Sequence, residues 1–187
     1  MFIIRTMDKA WIDGCLEGEA VAIEHFVGAY QPTIYRLALS ILDDPDEAED
    51  GTQETFLAAL RGLESFKGDS AFATWLYSIA INVCRNRLQR RKRSANLHKA
   101  MESLFLVRAR TDPSIEETVL QNEADTDVWR AIRSLDEKHR IPIILRYYHG
   151  FPVSEISEIL SIPCGTVHSR LNTAREQLHR YLKEGLK

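Results

Sequence analysis

Residues 44–93 read DPDEAEDGTQETFLAALRGLESFKGDSAFATWLYSIAINVCRNRLQRRKR, and this stretch decides the fold. Two amphipathic helices flank a short polar loop. The first has a dense start signal. Asp44 can cap, Pro45 suits the first helical position, and Glu47 stands where a capping box needs it. Asp46 and Glu47 also suit the positive end of the helix dipole. Ala48, Thr52, Phe56, Ala59, Leu60 and Leu63 fall on one face and are predicted to be buried. Asp50, Gln53, Glu54, Leu57 and Arg61 fall on another. Leu57 is an apolar residue among polar ones, which hints at a docking surface; a solvated acidic face is the plainer alternative. Gly51 inside the helix costs about 1 kcal/mol relative to Ala and suggests close approach of another backbone.

Residues 64–71 (ESFKGDSA) are expected to form a loop, with Gly68 as breaker and Asp69 or Ser70 as the next cap. From there Phe72, Trp75, Leu76, Ile79, Ala80 and Val83 make an apolar stripe. The opposite stripe is Ser78, Asn82, Arg85, Asn86, Gln89 and Arg93. Amides and arginines in one row can bond base edges and phosphates. The row ends in RNRLQRRKR, with 6 bases in 9 residues and no acid. A basic helix face also fits a solvated surface or an acidic lipid, but beside a short loop and an amide stripe nucleic acid is favoured.

Charge is strongly patterned along the chain. Residues 1–64 hold 13 acids and 4 bases, and residues 65–93 hold 7 bases and 1 acid, although the net charge of the 187 residues is only −3. Binding responds to the local field, so the basic island matters more than the total. Cys15, Cys84 and Cys164 are odd in number and far apart, without a C-x-x-C, which argues against a disulfide framework or a zinc site and for a reducing compartment. No apolar run reaches the roughly 20 residues of a membrane span. The opening MFIIRTM is too short for a signal peptide, and Met7 is an alternative start. A cytoplasmic location is expected.

Towards the N-terminus, residues 9–29 are predicted to be helical, with Ala20, Ile23, Phe26, Val27 and Tyr30 at helical spacing. Pro32 suits a break or the first turn of a new helix, whose buried stripe is Ile34, Leu37, Ala38, Ile41 and Leu42. Towards the C-terminus, residues 94–111 lack a stable pattern, although LHKAMESLFL has a transient helical tendency, and about 94–112 read as a linker. Asp112-Pro113-Ser114 restarts helix, with Ser114 and Glu117 as a capping box. Val128, Ala131, Ile132 and Leu135 make its buried face. Asp136 caps a further helix in which Ile141, Ile144, Leu145 and Tyr148 face inward, Pro142 removes one bond, and Gly150 ends the run.

Residues 153–182 have helix-turn-helix spacing. Val153, Ile156, Ile159 and Leu160 serve a short first helix, and Ser161-Ile162-Pro163 makes the turn. Val167, Leu171, Ala174, Leu178 and Leu182 line the second helix. Thr166, Ser169, Arg170 and Thr173 share an outer face near its N-terminus, where a recognition helix meets base edges. Arg170 is the best candidate for guanine readout or a phosphate contact. His168 has no partner cluster that would make it a ligand or catalyst, and Arg175 and Arg180 suit backbone contacts or solvent. No nucleophile–base pair, phosphate-binding glycine loop or metal-ligand cluster emerges, so an enzyme is disfavoured and no cofactor or metal is expected.

Three segments together, DEAEDGTQETFLAAL, FKGDSAFATWLYSIAINVCRNRLQRR and VSEISEILSIPCGTVHSRLNTAREQL, resemble the extracytoplasmic-function group of bacterial sigma factors. The resemblance spans about residues 8–93 and 113–183. It implies an all-α fold of two small helical domains: region 2 over residues 8–93, a flexible linker over 94–112, and region 4 with its helix-turn-helix over 113–187. It implies a non-catalytic subunit that directs RNA polymerase core to promoters, touching the clamp helices of the largest subunit and the flap of the second largest.

Carried over by position, Asp50, Gln53, Glu54 and Leu57 match the face that docks on the clamp helices. Phe66, Lys67, Ser70, Trp75, Ser78, Asn82, Arg85, Asn86 and Gln89 match the part that opens and reads the −10 element, where a base leaves its stack for a pocket near the loop. Thr166, His168, Ser169, Arg170, Thr173 and Arg175 match the −35 reading helix. Control by an anti-sigma protein is also implied. Six positions depart from the family pattern. Gly51-Thr52 stands where larger aliphatics are usual, Pro152 near a common Ser cap, and Ser161 at a common turn Gly. His168 and Thr173 replace a frequent Lys and Arg, which removes positive charge from the −35 helix. A stand-alone helix-turn-helix regulator is the rival reading, but it needs a dimer interface to read two half-sites, and no heptad seam supplies one.

Overall fold

Eight α-helices and no strand make up residues 8–105 and 123–185, the part of the chain that this computed structural model describes. The helices are α1 (Lys9–Leu16), α2 (Ala20–Leu42), α3 (Pro45–Gly62), α4 (Phe72–Phe105), α5 (Glu123–Ser134), α6 (Glu137–Ile143), α7 (Val153–Leu160) and α8 (Cys164–Gly185). A single 3-10 turn, Leu63–Ser65, follows α3, and a π-helical turn, Ile144–Tyr148, follows α6. None of the described helices is long and apolar enough to cross a membrane. The expected cap at Ser114 and Glu117 lies outside the described residues.

The first unit packs α1–α4 around a ring of aromatics. Phe26 meets Phe56 edge-on at 5.1 Å and Phe72 at 5.5 Å, and Tyr30 lies 5.5 Å from Phe72. Ile34, Leu37, Ile41 and Leu76 complete this core and are fully buried. Burying each such side chain is worth roughly 1.5–3 kcal/mol. The start of α3 is as the sequence predicts: Glu47 N donates to Asp44 Oδ1 at 3.0 Å. Glu47 does not return a bond to the cap; its carboxylate accepts from Arg87 instead.

Several expectations are corrected. The break in the first helical stretch falls at residues 17–19, beside Gly18 at φ +77°, and α2 runs straight through Pro32. Proline there removes a bond to the Gly28 carbonyl, but both residues are exposed, so water can satisfy that oxygen. Helix α4 starts at Phe72, so Ala71 rather than Asp69 or Ser70 precedes it, and the Ala71 carbonyl accepts from Trp75 N at 3.2 Å. The same helix continues to residue 105, well past residue 93, because neither Gly nor Pro interrupts it. The neighbour of Gly51 is a side chain, not a backbone: a Cβ there would stand 3.4 Å from Leu42 Cδ1 and 3.6 Å from Arg87 Cδ.

In the second unit Asp136 caps α6 through His139 N at 3.2 Å. Ile141, Ile144 and Leu145 point inward as predicted, but Tyr148 is exposed and His149 is buried. The π-turn is the cause. His149 N bonds back to Ile144 O at 3.1 Å, so the wider turn rotates the next residues and brings His149 to the inside. Gly150 at φ +73° then ends the run. Val128 is exposed too, while Ala131 and Leu135 are buried. Helices α7 and α8 pack through Ile156, Leu160, Val167, Leu171 and Ala174.

The two units share one hydrophobic cluster, with α7 lying on α4. Tyr77 stacks edge-on against Phe151 at 4.6 Å and shares a 2.9 Å hydrogen bond with His149 Nδ1. The C-terminal end of α2 adds a polar contact. Arg140 Nη2 donates to Ile41 O at 3.1 Å, and Arg133 pairs with Asp43 at 2.8 Å. Cations at a helix C-terminus meet its partial negative charge and its free carbonyls.

Candidate nucleic-acid interface

Helix α4 presents Asn82, Asn86 and Gln89 to solvent on one stripe, with Ser78 and Arg85 half-buried along it. A helix repeats every 3.6 residues, so side chains four and seven apart align, and an extended strand could follow the row. Ser78 Oγ is turned back to Trp75 O at 2.7 Å. Arg85 Nε donates to Glu137 Oε1 at 3.0 Å. Three of the five side chains, Asn82, Asn86 and Gln89, therefore present their polar atoms to solvent, while Ser78 is tied to its own helix and Arg85 is held by a carboxylate of the second unit.

The loop before α4 is anchored by aromatics. Phe66 packs on Phe72 at 5.4 Å and on Trp75 at 5.2 Å, which fixes one end of the loop. Gly68 takes φ +76°, a conformation that L side chains rarely adopt, and nothing lies within 4 Å of its added Cβ. Lys67 is exposed and Ser70 half-buried at the bend. Phe66 and Trp75 are thus partly core residues whose remaining faces border the loop.

On α3, Asp50 and Gln53 are exposed, Glu54 is half-buried, and Leu57 is 55% exposed. The sequence reading missed the residue that organises this face. Arg87, on α4, reaches across to three carboxylates: Nε bonds Glu54 at 3.2 Å, Nη2 pairs with Asp50 at 3.4 Å, and Nη1 bonds Glu47. Burial lowers the pKa of its guanidinium, but the bonds and charges of these acids outweigh that and hold it raised. Glu47, Asp50 and Glu54 lie three and four residues apart, a one-face acidic row that could have signalled a cationic partner. Next to this contact, Glu47, Arg87, Arg90, Arg91 and Ser94 line an open groove towards the later part of α4.

The residues expected on the second helix of the helix-turn-helix divide between two flanks. At about 100° per residue, Thr166, Arg170 and Thr173 lie on one side of the outer face, His168 and Arg175 on the other, and Ser169 between them. His168, Ser169 and Arg175 are exposed, whereas Thr166, Arg170 and Thr173 are half-buried. Arg175 is folded along its own helix, with Nε donating to Leu171 O at 3.3 Å and Nη2 to Asn172 Oδ1. The turn before the helix is a left-handed Ser161 at φ +52°, the position where a glycine is usual.

The two structural units coincide with two family matches. Sigma-70 region 2 matches residues 26–94, and Sigma-70 region 4 matches residues 125–178. The sigma-H factor of Pseudomonas aeruginosa is 32% identical over 97% of this chain and 96% of its own length. The ECF sigma factor SigW of Bacillus subtilis is 32% identical over 97% of this chain and its whole length. This chain belongs to the ECF group of RNA polymerase sigma factors. The sigma-E factor of Escherichia coli K12 is 35% identical over 91% of this sigma factor.

Solved structures agree on the fold. CnrH, in complex with the cytosolic domain of CnrY, superposes with a TM-score of 0.67 at 24% identity over 95% of this chain and 97% of its own. RpoE of Bartonella quintana, in complex with the anti-sigma factor NepR, gives 0.67 at 24% identity over 86% and 96%. The sigma factor is all-helical over the described residues of both regions and serves transcription initiation by directing the polymerase to promoters.

Proposed function

We propose that residues 8–93 act as the unit that binds core polymerase and the −10 element, that residues 113–187 act as the −35 unit, and that 94–112 join them. Asp50, Gln53, Glu54 and Leu57 dock on the clamp helices of the largest subunit. The second unit meets the flap of the second largest. Phe66, Lys67, Ser70 and Trp75 receive an unstacked base, and Ser78, Asn82, Arg85, Asn86 and Gln89 follow the displaced strand. Thr166, His168, Ser169, Arg170, Thr173 and Arg175 face the −35 duplex. An anti-sigma protein holds the factor in check, as NepR is bound to RpoE in the similar structure. The sigma factor acts where its polymerase is, in the cytoplasm, and as a non-catalytic subunit.

One observation supports this reading above the others: the open amide stripe Asn82, Asn86 and Gln89 on α4, leading from an aromatic loop into a basic run. Unstacking a base costs a few kcal/mol, and aromatic faces with cations nearby can return it. In vitro transcription from a genomic fragment library, with bacterial core polymerase plus and minus this protein, tests it. New transcripts that share an upstream and a downstream element support the reading. Specific DNA binding by the protein alone, with no new transcript, supports a stand-alone regulator instead.

A further inference from the structure

The contact between Arg85 and Glu137 joins residues 52 apart in sequence. The side chains are 25% and 28% exposed, so water already reaches both. Glu137 opens α6 in the second unit, and Arg85 stands in the middle of the α4 stripe. An oligonucleotide laid along Asn82, Asn86 and Gln89 would meet a carboxylate at the one arginine among them. Glu137 both occupies the guanidinium and repels a phosphate. We propose that Glu137 stands in for a DNA phosphate at Arg85 in the free sigma factor, so that the second unit competes with single-stranded DNA for one position of the α4 face. This rests on the proposed reading of α4 as a nucleic-acid face.

The exchange does not require the two units to part. Tyr77, Phe151 and His149 are buried together between them, and Arg133 with Asp43 forms a separate contact at the end of α2. Separation would expose that aromatic surface to water, whereas releasing Glu137 needs only a rotation of two half-exposed side chains. A partly exposed ion pair is worth a factor of up to about five in an equilibrium. That is enough to grade DNA affinity and too little to hold the units together alone.

The test uses the full free chain and a fluorescein-labelled pool of short single-stranded DNA of mixed sequence, read by anisotropy at low salt. Glu137→Gln is expected to tighten binding up to about fivefold. Asp127→Asn, which removes an exposed acid paired with Arg130 on α5, gives the baseline for lost charge alone. The gain is expected to exceed that baseline and to vanish in an Arg85→Ala background. Glu137→Asp, with its shorter reach, is expected to fall between. A gain no larger than that of Asp127→Asn, or one that persists without Arg85, overturns the competition. If Asn82→Ala weakens binding while Glu137→Gln adds nothing beyond the baseline, only the competition falls. If Asn82→Ala and Arg85→Ala both leave binding unchanged, the reading of α4 falls with it. Thermal unfolding of each variant checks that it is folded.

Discussion

Arg87 Nε donates to Glu54 at 3.2 Å across the α3–α4 junction, from a side chain that is only 17% exposed. A guanidinium with five donors can serve Glu47, Asp50 and Glu54 together, and a lysine cannot reproduce that fork. Arg87→Ala would leave three carboxylates on one face of α3 without their cation. It is expected to lower stability by about 1–3 kcal/mol in urea denaturation, and Arg87→Lys by a smaller amount. Asp50→Asn, at the exposed end of the set, should change stability by less than about 0.5 kcal/mol.

The burial of His149 makes stability depend on pH. Burial, then the charge of Arg36, lower the His149 pKa from 6.5 to about 4. Above about 6.5 the ring is neutral in both folded and unfolded chains and contributes no slope. Between 6.5 and 4 only the unfolded chain binds the proton, so stability falls as pH falls, by up to about 1.4 kcal/mol per pH unit. Urea midpoints measured from pH 7.5 to 4.5 should show this loss. The difference curve against His149→Gln isolates the histidine from carboxylates that titrate in the same range.

Thiol reactivity should separate the cysteines. Cys84 is fully buried, and desolvation pushes its pKa up to about 12; burial also raises that of Cys15. Cys164 is exposed at the start of α8. The thiolate is the reactive form, so a chromogenic disulfide should titrate one thiol quickly in the native protein and all three in denaturant.

Ser161 holds a left-handed turn at φ +52° without the freedom of a glycine. Ser161→Gly relieves that strain and gives back part of the gain as chain entropy in the unfolded state. A net stabilisation of about 0.5 kcal/mol is expected, seen as a rise in Tm.

Arg170 and Arg175 should differ in what their loss does to promoter binding. Arg170 shares a flank with Thr166 and Thr173 near the start of α8, and Arg170→Ala is expected to cost roughly 1–3 kcal/mol and to relax preference at one upstream base pair. Arg175, folded along its own helix, should show a smaller loss that is uniform across sequences. Binding measured against a panel of single-base changes distinguishes the two.

Much of the fold was legible because its causes are local. Asp44 and Asp136 cap their helices through backbone N–H groups three residues on, and Gly68 and Gly150 turn the chain at positive φ. Apolar residues at helical spacing, such as Phe56 with Ala59 or Val167 with Leu171 and Ala174, are buried because one face of each helix must leave water. The exposed row Asp50, Gln53, Leu57 and the exposed stripe Asn82, Asn86, Gln89 were visible for the same reason: period alone separates them from the core.

By itself, then, the sequence determined the starts of α3 and α6, most of the buried faces, and the family to which the chain belongs. Tertiary structure decided what period and propensity do not encode. Pro32 stays within α2 because the carbonyl it leaves unbonded faces solvent, and the π-turn exchanges Tyr148 for His149 by shifting the angular period on which the sequence reading relied. Arg87 turns to α3, Arg85 to Glu137 and Tyr77 to His149 across 33 to 72 residues of chain. Such partners meet only once the helices are packed, so no local pattern selects them.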